Sequence, residues 1–146
     1  MFQQHFKTIP KTIKLMERSI YSVRYCFIDI MEKNDIMPKP SVSVLDEHFK
    51  WFNSKPESKI DLIVYLRTDP EIVYERIMSR NRDEETSISF DYVKKLHDAY
   101  ENWLLVDGTT RNYPLPAPVL ILNANLNKTE MILKEYVKCK TIIPTM

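Results

Sequence analysis

Asp61 to Glu85 reads DLIVYLRTDPEIVYERIMSRNRDEE, and the order of its parts decides the fold. Leu62 to Leu66 is an uninterrupted apolar run of strand length, the pattern of a parallel strand covered on both faces. Asp69 and Pro70 then open a helix. Proline takes the first helical position, where its missing N–H costs nothing, and Asp69 is the expected cap. Projected at about 100 degrees per residue, residues 71 to 80 place Ile72, Val73 and Ile77 in one apolar sector, with Arg76 and Arg80 inside it. Arginine keeps its charge in a protein, so two guanidinium groups aimed inward need anions, either carboxylates or a bound phosphate. The plainer alternative is that these arginines snorkel past the core or pair with Glu84 and Glu85.

The flanking sequence extends the pattern. Thr12 to Met16 reads as a short strand with Glu17-Arg18-Ser19 at its carboxyl end. From Ser19 to about Asn34, the apolar residues Ile20, Tyr21, Tyr25, Phe27, Ile28 and Met31 predict a helix buried on two sides. Pro38 and Pro40 break the chain, and Val44, Leu45, His48, Phe49 and Phe52 support an amphipathic helix ending near Lys55-Pro56. Ser89 caps a helix in which Phe90, Val93, Leu96, His97, Tyr100, Trp103 and Leu104 repeat at helical spacing, with an apolar stripe wide enough to serve a partner. Val119 to Leu122 is another buried strand. Asn127 and Glu130 form a capping box for a last helix to about Cys139. Three strands alternating with five helices define an α/β domain with a parallel sheet.

Composition narrows the function classes. A chain of 146 residues is long enough for one domain, residues 1–146, and short of two. Lysine and arginine number 21 against 20 acidic residues, so no global field draws the chain to nucleic acid or to an anionic membrane. Any anion site must be local. Cys26 and Cys139 lie far apart, and His5, His48 and His97 form no ligand cluster, so neither a structural metal nor a disulfide framework is expected. A reducing compartment, cytoplasmic or mitochondrial, is the expectation. No run of 18 apolar residues is present. The first fifteen residues lack both the apolar core of a secretory signal and the arginines of a mitochondrial presequence. Asn127-Lys128-Thr129 fits a glycosylation acceptor by chance. Gly108 is the only glycine, whereas average usage would give roughly ten.

Leu15-Met16-Glu17-Arg18-Ser19-Ile20-Tyr21-Ser22, followed by Arg24-Tyr25-Cys26-Phe27, resembles the deoxynucleoside kinase family, above all its insect and mitochondrial thymidine kinase members. Further blocks agree in order: Asp61 to Thr68, Glu75 to Glu85, Leu96-His97, Glu101 to Leu104, and Ala117 to Leu120. Together they cover nearly the whole chain from Ile13 onward. The resemblance implies a P-loop-kinase-like parallel sheet flanked by helices, and transfer of the γ-phosphate of ATP, with Mg2+, to the 5′-hydroxyl of a deoxynucleoside. In such a reaction arginines and the metal ion neutralise charge on the transferred group, and a carboxylate takes the hydroxyl proton.

The same resemblance implies site roles. Arg18 is a charge clamp beside the 5′-hydroxyl, and Glu17 is a magnesium-side or proton-accepting carboxylate; both could instead simply cap the next helix. Phe27 matches the ring that stacks on the nucleobase. Val23 stands where members favouring deoxycytidine and purines carry a carboxylate, which implies a preference for pyrimidines such as thymidine, although Val is bulkier than the usual Ala. Glu85 matches the carboxylate that binds the sugar 3′-hydroxyl. Arg76, Arg80 and Arg82 match lid arginines that cover ATP, and Asn125, Leu126 and Asn127 align with the loop that holds the adenine. The helices at 20–34 and 89–106 match those that pair two subunits into a homodimer.

A P-loop needs Gly-x-x-x-x-Gly-Lys followed by Ser or Thr, because backbone amides wrap a phosphate only where no side chain blocks them. A sequence with one glycine holds no such motif, and Gly108 is followed by Thr109 and Thr110. The family's P-loop and the strand bearing its usual catalytic glutamate are expected to precede Met1. The sheet is therefore expected to be incomplete, without its central P-loop strand and one further strand. The strands at Thr12 to Met16 and Leu62 to Leu66 would lose the neighbour they share. Alone, the chain is expected to fold poorly or to close its sheet in a nonnative way, and to be inactive. It is then either an amino-terminally truncated kinase domain or a nonenzymatic product that dimerises with a full-length subunit. A third reading, another small-molecule P-loop kinase with a similar lid, is weakened by Glu17-Arg18-Ser19.

Overall fold

The computed structural model describes residues 13–106, 113–127, 129–131 and 133–135. Thr12, Gly108 and Cys139, on which expectations above fall, lie outside these residues. The architecture is α/β, with a parallel two-stranded sheet and flanking helices. Two compact units make it up: residues 1–61 with 98–116, and residues 62–97 with 117–146.

The first unit is helical. Ser19 starts a continuous helical run whose three segments are α1 (Ile20–Ser22), a π-helical stretch (Val23–Ile28) and α2 (Asp29–Lys33). The buried positions Ile20, Tyr21, Tyr25, Cys26, Ile28 and Ile30 go round the run rather than along one face, as its apolar composition predicts. Helix α3 (Lys39–Asn53) begins earlier than expected. Pro38 is its cap residue and Pro40 lies in its first turn, so the prolines open this helix rather than end the preceding one. Tyr25 gathers the aromatic core. Its ring stacks on Tyr113 at 4.3 Å and 6°, and meets the edges of Trp103 and Phe49, each at 5.4 Å.

The second unit holds the sheet. Strand β1 (Ile63–Arg67) pairs in parallel with β2 (Val119–Asn123), Ile63 opposite Val119 and Arg67 opposite Asn123. Helix α4 (Pro70–Arg80) follows β1 and stops at Asn81, whose φ of 46° is the left-handed conformation that ends helices. Helix α5 (Phe90–Leu104) starts in this unit and runs into the other. Its Ser89 cap is present, the hydroxyl accepting from Tyr92 N–H at 3.2 Å. Residues 129–131 and 133–135 are helical, and Asn127 Oδ1 caps them by accepting from Glu130 N–H at 2.9 Å.

Three expectations are corrected. Residues 13–16 form no strand, and Leu15 is 85% exposed. A strand needs a hydrogen-bonding neighbour, and the sheet among the described residues has only β1 and β2. Strand β1 is not covered on both faces: Val64 and Leu66 are 44% and 52% exposed, while Leu120 and Leu122, beside them in register, are buried. Its apolar run suits a central strand, but among the described residues it stands at the sheet's edge. Finally, the Asp69 side chain makes no cap bond to α4. It turns instead to Asn125, 56 residues away, accepting from Nδ2 at 2.9 Å while Asn125 Oδ1 accepts from Asp69 N–H at 2.8 Å.

Candidate functional site

In the first unit the site begins at a backbone outlier. Arg18 has φ of 62°, in the left-handed region that a side chain with a Cβ seldom occupies. Conformations of this kind persist where the surroundings over-determine them, and they cluster at functional positions. The adjoining helix start holds it there. Ser19 and Ser22 cap each other reciprocally, Ser22 N–H donating to Ser19 Oγ at 3.3 Å and Ser19 N–H to Ser22 Oγ at 3.1 Å. The cap of α1 is thereby fixed one residue after Arg18, whose guanidinium carbon lies 4.9 Å from the Phe27 ring centroid.

Phe27 and Val23 both sit on the π-helical stretch, each half-buried. Widened turns of this type are rare and recur at functional sites. A charged network braces the stretch from behind. Arg24 forks onto both carboxylate oxygens of Asp46, with Nη2 3.2 Å from Oδ2, and stands 3.9 Å from Glu32. Burial disfavours the Arg24 charge, but the bond to Asp46 and the surrounding charges outweigh it and raise its pKa. Tyr113 lies under Arg24 and donates to Asp29 Oδ1 at 2.7 Å, and Lys33 meets Asp29 Oδ2 at 2.7 Å. Burial, and then Asp29, push the Tyr113 hydroxyl up to about 12. Cys26 is buried, which pushes its thiol up to about 12, with Asp29 adding to the effect. Such a thiol packs as a small apolar group and is not poised to react.

In the second unit Arg76, Arg80 and Arg82, which the resemblance matches to a lid, separate into two arrangements. Arg80 and Arg82 converge on Glu85 Oε1, at 3.2 and 3.8 Å, and are 49% and 61% exposed. Glu85 is 19% exposed, and its Oε2 is buried with no hydrogen-bond partner among the described residues. Arg76 does something else. Its Nη1 donates to Ala124 O at 2.8 Å, and its Nη2 to Asn125 O at 3.2 Å and Leu126 O at 3.1 Å. The inward aim expected of Arg76 and Arg80 is thus not what the helix achieves. Ile77 is buried, but Arg80 leaves at the exposed end of α4, and Arg76 bends onto the loop after β2.

The residues singled out in the sequence therefore meet in three clusters: Arg18 with Phe27, Arg80 and Arg82 with Glu85, and Arg76 with Asn125 and Leu126. Glu17 is exposed and adjoins Arg18. Among the described residues no group of three or more His, Cys, Asp or Glu side chains is placed to hold a metal ion. Sequence reading missed Tyr113 and Ala124, and gave Asp69 a cap's role in place of its bonds to Asn125. Tyr113 could have been flagged as an aromatic within a proline-rich loop, but the other two act through residues about fifty positions away and leave no local trace.

The sequence matches the deoxynucleoside kinase family model over residues 1–143, and the chain belongs to that family. Human mitochondrial thymidine kinase 2 is 36% identical over 132 residues, covering 90% of this chain and 49% of that protein. Rat deoxycytidine kinase is 36% identical over 121 residues, covering 80% and 46%. Bovine deoxycytidine kinase is 34% identical over 123 residues, covering 82% and 47%. The chain spans about half the length of the curated relatives it matches.

Proposed function

We propose that the chain is the lid and nucleoside-binding half of a deoxynucleoside kinase domain, which transfers the γ-phosphate of ATP to the 5′-hydroxyl of a pyrimidine deoxynucleoside such as thymidine. The observation that carries this reading is Glu85. A buried carboxylate oxygen accepts hydrogen bonds and donates none, so Oε2 calls for a donor that the described residues do not supply. A sugar 3′-hydroxyl is such a donor. Arg80 and Arg82, already gathered on the other oxygen and half exposed or more, can exchange a carboxylate for phosphate oxygens of like charge and geometry.

On the nucleoside side, Phe27 offers a flat apolar face that accepts any base by stacking. Val23 beside it brings no charge, which favours thymidine over bases that need a carboxylate partner. Arg18, placed above Phe27, carries a fixed positive charge toward the 5′ end of the nucleoside. Glu17 is the neighbouring carboxylate that receives the hydroxyl proton or faces Mg2+. A bound Mg2+ would supply charge neutralisation, with Glu17 the residue of this chain that would face it.

This chain by itself is a poor catalyst on this reading, because a single glycine leaves no backbone cradle for the β- and γ-phosphates. Assaying the isolated chain with ATP and either thymidine or deoxycytidine should give no turnover; a measurable rate with either would overturn the account of the missing cradle. A second reading, favoured by the retention of both helices matched to a subunit interface, is a nonenzymatic partner that dimerises with a full-length kinase. Sedimentation of the chain with and without such a subunit separates the two.

A further inference from the structure

We infer that Arg76 is a positioning residue that shapes the loop of Ala124 to Asn127 for the base of the nucleotide, rather than a ligand of its phosphates. This rests on the kinase reading and refines the role of one lid arginine. A guanidinium has five N–H donors and no acceptor. In Arg76 both terminal nitrogens are engaged by three consecutive carbonyls, Ala124, Asn125 and Leu126. Three consecutive carbonyls turned to one point is not a strand geometry, where successive carbonyls alternate in direction. The loop is therefore wound around the arginine.

Peptide planarity gives the consequence. In a trans peptide the N–H of each residue points opposite to the carbonyl before it. With the carbonyls of Asn125 and Leu126 turned toward Arg76, the N–H groups of Leu126 and Asn127 are turned to the other side. The Ala124 carbonyl has the same effect on the Asn125 N–H, which donates to Asn123 Oδ1 at 3.0 Å. One of these outward backbone donors suits the ring-nitrogen acceptor of a purine edge, N1 or N7, which lies beside the N6 amine donor, and a backbone donor needs no side chain to be specific.

The base of α4 secures the other end. Asp69 and Asn125 exchange two hydrogen bonds, at 2.8 and 2.9 Å, and Ala124 N–H donates to Arg67 O at 2.8 Å. Helix α4 and this loop are thus joined at Asp69 and, nearly two turns on, at Arg76. Reaching a phosphate would cost Arg76 three hydrogen bonds. For Arg80 and Arg82 the exchange is one anionic oxygen for another.

Amide exchange of the full chain, read at Asp69 and Ala124, tests the joint without any ligand. Arg76→Ala should speed exchange at both by about tenfold or more, the ratio that corresponds to a joint weakened by about 1.4 kcal/mol. Arg80→Ala should leave both unchanged. Arg76→Lys keeps charge and helix propensity, so it folds where alanine fails, but one ammonium group cannot span three carbonyls, and exchange should still rise. Unchanged exchange in both Arg76 variants, or unprotected exchange at these amides in the wild type, would overturn the inference.

Binding of ATP and of inorganic tripolyphosphate then separates base from phosphate. Arg76→Lys should weaken ATP by about tenfold and leave tripolyphosphate as it was, whereas Arg80→Ala should weaken both. Equal losses of both probes in Arg76→Lys would make it a phosphate ligand and end the proposal. If the wild-type chain binds neither probe, the nucleotide-site reading fails, and the exchange result decides the joint by itself.

Discussion

The two units answer the same problem, how to keep charged side chains beside a core, in opposite ways. In the first unit the charges are drawn inward and neutralised there. Arg24 is forked onto Asp46 above the Tyr113 ring, and Asp29 is held by Tyr113 and Lys33. In the second unit the charges stay near water, where Arg80 and Arg82 share one carboxylate oxygen. A network centred on the largely buried Arg24 and Asp29 resists rearrangement, because removing a partner leaves a buried charge uncompensated. Two exposed arginines sharing one carboxylate oxygen add little stability and are correspondingly free to rearrange, although Glu85 itself is largely buried. The difference matches the tasks proposed for them. A nucleoside pocket needs a fixed shape, whereas a lid must exchange partners when phosphate arrives.

The sharpest way to break this comparison is Tyr25→Ala. Tyr25 is buried and touches Tyr113, Trp103, Phe49 and Tyr21, so truncation removes the hub of the aromatic core rather than one contact. Large-to-small changes of this kind cost about 3–5 kcal/mol. Urea unfolding of the full chain should show that loss. A change below about 1 kcal/mol would mean that the first unit is not the rigid half.

A smaller effect is expected at Tyr113, and it depends on pH. Its folded hydroxyl, pushed up to about 12, holds its proton more tightly than the ordinary value of 10.0 allows. The stabilisation is therefore complete below about pH 10 and is lost as pH rises through about 12. Tyr113→Phe removes the bond to Asp29 and should cost about 1 kcal/mol at neutral pH. It should also reduce the alkaline loss without abolishing it, because burial raises Tyr21 and Tyr25 as well. Unfolding midpoints followed from neutral to alkaline pH check both; an alkaline profile identical in the variant would detach Tyr113 from the network.

What could be read from the sequence was what is local. Periodicity placed the helical run from Ile20, helix α4 and helix α5, and composition placed both strands, since each of these patterns lies within a few turns of chain. The resemblance singled out Arg18, Phe27, Arg80, Arg82 and Glu85 with separate roles, and the structure brings Arg18 to Phe27 and both other arginines to Glu85. The π-helical stretch was not legible, because shifting backbone hydrogen bonds by one residue leaves the apolar pattern nearly intact. Nor was the left-handed Arg18, since no glycine or asparagine marks it. Asp69 had the right residue type for a cap and lost that role to Asn125, a partner visible only once β1 and β2 lie side by side. The exposure of β1 depends on its neighbours rather than on its own residues.

That last point supplies the finest test of the contrast between the units. Within one face of the sheet, Leu122 is buried and Leu66, its partner in register, is half exposed. Leu66→Lys places its charge in water with the stem lying along the strand, and a surface change of this kind stays within about 0.5 kcal/mol. Lysine on an edge strand also discourages further strand pairing. The variant should therefore match the wild type in urea and show less self-association in sedimentation. A loss of several kcal/mol would instead mean that Leu66 is covered in solution. Strand β1 would then be interior after all, as its uninterrupted apolar run demands, with an additional strand against its free side.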